Sequence, residues 1–320
     1  QASGQADEIL KAQKDAKNEV DKLSNLTDQQ KEALKHQVSS AVTSEGIEEV
    51  VEKAKELDKV TKDFKDAIKS AKELDKSLDK YKYADESKQN AFDNKLKEAE
   101  VELAKGLADK DKDKIKELSN KLVEVQSTLN GEVKLSDAKK GAQNKVQDLN
   151  NLSNQQKEAI NVAIDKATSP EAANTIANKA TELDQAIAKA KEAQKAAVEV
   201  KTNAKYTEAS DTTKNPFDTA TNNLDSDITI AITTLDLDSA EKLNNLVKTL
   251  KEDTTKTNDA NTSLDGQKRL DAAKAEANGL IAGVSQLSPQ AASGFKDVVD
   301  KATTIAAVNE AKDAAKAAQA

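Results

Sequence analysis

Apolar residues recur every three or four positions along most of the chain. Ile47, Val50, Ala54, Leu57, Thr61, Phe64, Ile68, Ala71, Leu74, Leu78 and Tyr81 draw one stripe over about nine turns, the period of a helix with one buried face. This predicts a single long helix over 47–81. Start signals punctuate the pattern. Thr27 and Ser153 each stand three residues before a glutamine, Gln30 and Gln156, the spacing at which side chain and backbone bond reciprocally at a helix start. Ser169-Pro170, Asn215-Pro216 and Ser288-Pro289 each place a capping side chain before a residue with no amide hydrogen, so all three prolines are expected in first turns. Gly131 and Gly266, after Leu129-Asn130 and Leu264-Asp265, stand where helical patterns run out and are expected to terminate those helices.

The pattern also repeats on a larger scale. Leu23-Ser-Asn-Leu-Thr-Asp-Gln-Gln-Lys-Glu-Ala-Leu34 returns 126 positions later as Leu149-Asn-Asn-Leu-Ser-Asn-Gln-Gln-Lys-Glu-Ala-Ile160, and a looser copy containing Leu287-Ser-Pro-Gln290 spans 284–299. Each copy follows an Ala- and Lys-rich lead-in, at 9–16, 135–142 and 270–277. A second kind of unit lies between them, marked by Tyr83-Ala-Asp-Glu-Ser87 with Phe92-Asp93 and by Tyr206-Thr-Glu-Ala-Ser210 with Pro216-Phe217-Asp218. The chain therefore alternates as A-B-A-B-A, with A units at 1–67, 132–195 and 267–320 and B units at 68–131 and 196–266. An A unit reads as a lead-in helix, a short capped helix and the first part of a long helix. A B unit reads as the rest of that helix followed, in the first copy, by helices over 86–106 and 109–130. The fold class expected is all-α: tandem three-helix bundles that share long helices and form an elongated rod. A module of some 60 residues is about 30 Å long, so five in series would extend to roughly 150 Å.

Composition narrows the choice. Of 320 residues, 33% are charged and 2% aromatic, with no Trp, Met or Cys. The 37% counted as hydrophobic is mostly alanine, which fills a thin helical core and not a wide one. Nine glycines and three prolines leave few turns, against both a many-stranded β fold and a disordered linker. The net charge of −8 is spread along the chain with no basic face, which argues against nucleic acid. No apolar run reaches the roughly 18 residues that span a bilayer, so membrane insertion is not expected. The sequence starts at Gln1 without a Met or a signal peptide and reads as a piece of something longer.

Candidate chemistry is sparse. The only histidine, His36, corresponds to Val162 and Asp297 in the other A copies, so a shared ligand or base is not expected there. Carboxylates lie among lysines, as in Lys110-Asp-Lys-Asp-Lys114, without the glycine and glutamate spacing of a calcium loop. Phosphate loops, HExxH and GxSxG patterns do not occur, and neither catalytic residues nor cofactors are expected. Tyr83 and Tyr206, with Phe92 and Phe217, stand at similar places in the two B units. They either pin the loop before the second helix onto the bundle or, partly exposed, anchor a ligand.

At Leu149-Asn-Asn-Leu-Ser-Asn-Gln-Gln-Lys-Glu-Ala159, preceded by Leu129-Asn-Gly131 and Ala138-Lys139, the sequence resembles the repeat region of the giant staphylococcal-type extracellular-matrix-binding surface proteins. Those chains alternate GA modules, relatives of the albumin-binding three-helix bundle, with FIVAR modules. The A units are similar to the first and the B units to the second, over essentially the whole chain. The resemblance implies a secreted, cell-wall-attached, monomeric rod on a Gram-positive bacterium, with fibronectin or other matrix components as partners. Albumin is not expected, because the second helix of the first copy carries Lys31, Glu32 and Lys35 where albumin-binding modules present an apolar patch. Two functions fit: an adhesin whose tandem modules bind host matrix weakly and multivalently, through Tyr83 and Tyr206 if the B units carry the contact, or a spacer and envelope scaffold in which length itself is what repeats.

Overall fold

The computed structural model describes residues 2–319. Gln1 and Ala320, the outer limits of the first and last modules, lie outside the described residues. Fifteen helices and no strand occur among the described residues. The chain divides into two compact units between Asp137 and Ala138. The first contains α1 (Ala2–Asp21), α2 (Asp28–Ser40), α3 (Ser44–Glu73), α4 (Asp79–Lys82), α5 (Glu86–Lys105), α6 (Lys112–Ser127) and the start of α7 (Gly131–Gln147). The second contains the rest of α7, then α8 (Asn154–Asp165), α9 (Pro170–Val200), α10 (Ala204–Thr207), α11 (Asp211–Thr233), α12 (Ala240–Ser263), α13 (Gly266–Ala282), α14 (Pro289–Lys301) and α15 (Ile305–Gln319).

Helix starts follow local chemistry. Thr27 and Ser153 form full capping boxes with Gln30 and Gln156. Ser169 and Ser288 accept the N–H of Ala172 and Ala291, with Pro170 and Pro289 in the first turns. Pro216 departs from expectation: it lies inside α11, which starts five residues earlier behind Ser210. Asn215 is therefore not the cap, and the helix passes through the proline with one intrahelical bond fewer.

The long helix predicted over 47–81 ends at Glu73. Leu74 leaves helical geometry at φ −58°, ψ 122°, and the Asp75 carboxylate accepts the amide and hydroxyl of Ser77 in a tight turn. The end of the apolar stripe, Leu78 and Tyr81, continues onto the following loop and α4. What remains of α3 still serves two bundles. Its first half packs Ile47, Val51 and Ala54 against α1 and α2, and its second half places Phe64, Ala67, Ile68 and Ala71 in a core with Phe92, Ile115 and Leu122.

In the second unit α9 does the same for α7 and α8 on one side and α11 and α12 on the other, but here the core is continuous from Ala142 to Leu250. Along α9 the counterparts of Ile47, Val51 and Phe64 are Ala173, Ala177 and Ala190, all fully buried. Alanines let neighbouring helices approach closely, which closes the seam between the two bundles. The second B unit is also longer. The caps Asp111 and Ser239 are 128 positions apart, whereas Leu129 and Leu264 are 135 apart, so the segment from cap to terminal leucine gains seven residues, about two turns. The third A unit packs α13, α14 and α15 around Leu270, Ile281, Val299 and Val308.

Gly131 and Gly266 do not stop helices; they begin α7 and α13. A Cβ on Gly131 would run into the backbone carbonyls of Asp79 and Lys80 in α4, and one on Gly266 into those of Ala204 and Lys205 in α10. Glycine is required because one backbone lies directly on another, and a C-terminal turn has no part in it.

Candidate functional site

Each B unit carries a short helix, α4 or α10, clamped over the bundle by a tyrosine. The Tyr81 hydroxyl donates to Asp93 at 2.8 Å and its ring meets Phe92 edge-on at 6.2 Å. The Tyr206 hydroxyl donates to Asp218 at 2.9 Å and its ring lies 5.4 Å from Phe217. A lysine ammonium covers each ring, Lys76 at 5.0 Å and Lys214 at 4.7 Å. Burial, and then the bond to the aspartate, raises both phenol pKa values.

Tyr81, and not Tyr83, is therefore the counterpart of Tyr206. The tyrosines, phenylalanines and aspartates all recur at a spacing of 125, a signal visible in the sequence but overridden there by the likeness of Tyr83-Ala-Asp-Glu-Ser to Tyr206-Thr-Glu-Ala-Ser. Tyr83 corresponds to Glu208; it is half-buried, with the Lys82 ammonium 5.4 Å from its ring.

The residue before the second B helix is tied to the end of the third by one link of reversed polarity. In the first B unit Asn130 accepts the Asp85 amide and donates to its carboxylate, each at 2.9 Å. In the second the carboxylate sits on the other side: Asp265 accepts the Ser210 amide at 2.8 Å and its hydroxyl at 2.7 Å. Hydrogen bonds from the Ser210 hydroxyl and amide pull Asp265 down to about 2. Lys134, and then Asn130, lower Asp85 in the same way. These links explain why neither Asp85 nor Ser210 caps its own helix. In the second unit the B loop also reaches the third A unit, where Arg269 donates to the Glu208 carbonyl at 2.8 Å and the Glu208 carboxylate accepts the Ile305 amide at the start of α15.

The capping-box glutamines have a second use that local reading could not supply. The Gln30 amide, nearly buried, donates to the Leu107 carbonyl at 3.3 Å, beyond the end of α5. The fully buried Gln156 donates to Ala231 and Thr234 at 2.8 and 3.0 Å, at the end of α11. Each glutamine thus closes its own cap and holds the next module by backbone carbonyls at or just beyond a helix end. In the third copy Ala291 stands in that place.

At the first of these junctions the α5–α6 loop leaves a cleft of about 880 Å³ against α2 and α3. At the second, Leu237 from the α11–α12 loop is fully buried in one core with Ile160 and Leu183. His36 is exposed on α2. Lys110 and Lys112 pair with Glu102 at 3.1 Å and Glu56 at 2.6 Å, and Asp111 caps α6. Among the described residues no group of His, Cys, Asp or Glu is arranged to hold a metal ion, and no helix is long and apolar enough to cross a membrane.

The model of the GA module family matches 8–60, 132–186 and 267–319, just over half of the chain and each of the three A bundles. The chain belongs to the GA module family. Among its relatives, the extracellular matrix-binding protein ebh of Staphylococcus aureus strain MW2 is 29% identical over 96% of this chain, and EbhB of strain Newman 28% identical over the same share. The chain spans only 3% and 4% of those proteins. The crystal structure of the EbhA 756–1003 domain from Staphylococcus aureus matches with a TM-score of 0.58 at 23% identity, covering 80% of this chain and 98% of that one, a likeness of fold. The GA family thus accounts for the A bundles, and the EbhA domain shares the helical architecture.

Proposed function

We propose that this GA module chain is a repeat segment of a bacterial cell-surface adhesin that projects from the wall and binds host extracellular matrix, fibronectin-type ligands included, weakly and through many copies. The observation that carries this reading is the resemblance over 96% of the chain to proteins named for extracellular matrix binding, joined to an architecture in which the same A–B pair is built twice. Weak sites repeated along one chain gain avidity without any single strong contact. The B units resemble FIVAR modules, and in this reading ligand contact falls to them, through Tyr83 and the accessible part of Tyr206.

The test is a plasma and matrix pull-down with the whole chain at low and raised salt, followed by measurement of fibronectin and albumin binding. Retention of fibronectin at raised salt, weakened by Tyr83→Ala, is expected; albumin is not. Retention of neither sinks the adhesin reading.

A specific observation favours a second reading, a spacer or envelope scaffold without its own ligand. Tyr81 and Tyr206 spend their hydroxyls on Asp93 and Asp218 inside the B units, so the repeated tyrosines hold the fold together. An elongated array belongs to both readings. Small-angle scattering is expected to give a radius of gyration of about 40 Å, against about 20 Å for a compact chain of this length.

A further inference from the structure

The two A–B junctions share one plan and differ in how they are finished. Ile160 and Leu183, the counterparts of Leu34 and Leu57, are sealed into a common core by Leu237, and the α9 positions facing that loop include the neutral Asn174, Thr175 and Asn178. At the first junction these three become Glu48, Glu49 and Glu52, with Glu45 one turn before. Leu107 belongs to the core of the B bundle while Leu34 belongs to that of the A bundle, so no loop side chain joins them and the cleft stays open. Its lining combines Leu34 and Leu57 with these four exposed carboxylates.

The cations nearby do not neutralise that wall. Lys110 and Lys112 are engaged by Glu102 and Glu56, the remaining lysine of the lining, Lys53, is outnumbered by the carboxylates around it, and among the described residues none of Glu45, Glu48, Glu49 and Glu52 has an ion-pair partner. The plain alternative is a solvated helix face whose acids favour the N-terminal end of α3 through its dipole. That alternative accounts for Glu45 in the first turn. Glu52 lies two turns further on, where the dipole effect has faded, and the dipole does not explain why three of these four positions are neutral on α9, where only Glu171 keeps the charge.

We propose that the first junction cleft binds a cationic amphipathic peptide segment, with Lys or Arg side chains against Glu45, Glu48, Glu49 and Glu52 and an aliphatic side chain over Leu57. The charge complementarity supplies orientation and rapid encounter, and the apolar floor supplies the discrimination against a merely basic chain. At the second junction, where Leu237 is buried, the equivalent cleft is smaller, about 540 Å³; it keeps Glu171 in the place of Glu45 but has Thr175 in the place of Glu49 and lacks the three central carboxylates, so the same segment is not expected to bind there. The proposal is independent of matrix binding and would hold in a spacer.

The experiment titrates the full chain into a fluorescently labelled amphipathic Lys/Leu peptide and follows anisotropy at low and raised salt. One saturable site per chain is expected, weakened by salt. The triple variant Glu48→Asn, Glu49→Thr, Glu52→Asn, which installs the residues of the second junction on an exposed face, is expected to lose affinity by about tenfold or more with an unchanged thermal melt. Glu49→Lys alone, a second and milder change, should weaken binding in the same direction. An all-lysine peptide of equal charge should bind more weakly than the amphipathic one. Unchanged binding by the triple variant, or equal binding of the all-lysine peptide, overturns the proposal.

Discussion

Gly131 and Gly141 lie on the same helix and illustrate how differently one residue type is used. Gly131 begins α7 against the carbonyls of α4, whereas a Cβ at Gly141 would meet nothing within 4 Å. Gly131→Ala is expected to destabilise by about 1–3 kcal/mol or more through forced backbone displacement, and Gly141→Ala to stabilise by roughly 0.5–1 kcal/mol through helix propensity. Chemical denaturation of the two variants checks both signs. Acid groups give a second contrast. Asp253 on α12 has an Oδ2 without a hydrogen-bond partner among the described residues, and burial, followed by the facing Asp227, raises its pKa to about 7. Two facing carboxylates can share a hydrogen bond only when one holds a proton. A carboxyl raised from 3.8 to about 7 binds more protons folded than unfolded between those values, so its effect is to lower stability as pH rises through that window. Asp253→Asn should flatten this dependence and stabilise the chain above neutral pH by about 1 kcal/mol, the scale left after solvent screening. Melts from pH 5 to 8 read it directly. Asp265, held near 2, runs the other way: its contribution is present above 3.8 and disappears as pH falls towards 2.

Among the elements, α3 and α9 organise the rest. Phe64 is fully buried in the B-side half of α3, so Phe64→Ala should remove about 3–5 kcal/mol from the first B bundle. Hydrogen exchange should show α5 and α6 losing protection first. Starts of elements were legible in the sequence because caps are local: Thr27, Ser153, Ser169 and Ser288 need only the next three residues. Ends were not. The apolar stripe continues through Leu74, Leu78 and Tyr81 although the backbone turns at Leu74, because Leu74 and Tyr81 still face the bundle from a loop and a one-turn helix, whereas Leu78 fits the period but stands exposed. Gly131 looked like a helix stop because its true requirement, the backbone of α4, is remote in sequence. The register of Tyr81 was obscured by a nearby tyrosine that fits the local motif better. Pro216 is deceptive because Asn-Pro resembles a helix start, while the residue that does precede the helix, Ser210, makes no cap bond and spends its hydroxyl on Asp265. The cleft was invisible, since it is created by what the α5–α6 loop leaves unfilled.

At the scale of the whole molecule, the two A–B pairs should respond differently to equivalent damage. Leu183, fully buried, belongs to the core common to the second A and B bundles. Leu183→Ala is expected to cost about 2–5 kcal/mol and to weaken α8 and α12 together. Val38→Ala, in a cluster confined to the first A bundle, should leave α5 and α6 protected. Residue-resolved hydrogen exchange distinguishes the two outcomes; simultaneous loss in both variants would mean that the first pair is as tightly fused as the second.

A helix common to two bundles also acts as a phase keeper. Each residue turns an α-helix by about 100°, so one residue inserted between Leu183 and Ala190 would rotate every downstream contact on α9 away from α11 and α12. Seven residues add nearly two whole turns and leave the buried face where it was. The segment from the α12 cap to Leu264 is longer than its counterpart in the first B unit by seven residues. Length changes in such arrays are thus quantised by helical pitch, and recombination between repeats that respects module boundaries but ignores this phase would join two sound halves into a chain whose cores no longer meet.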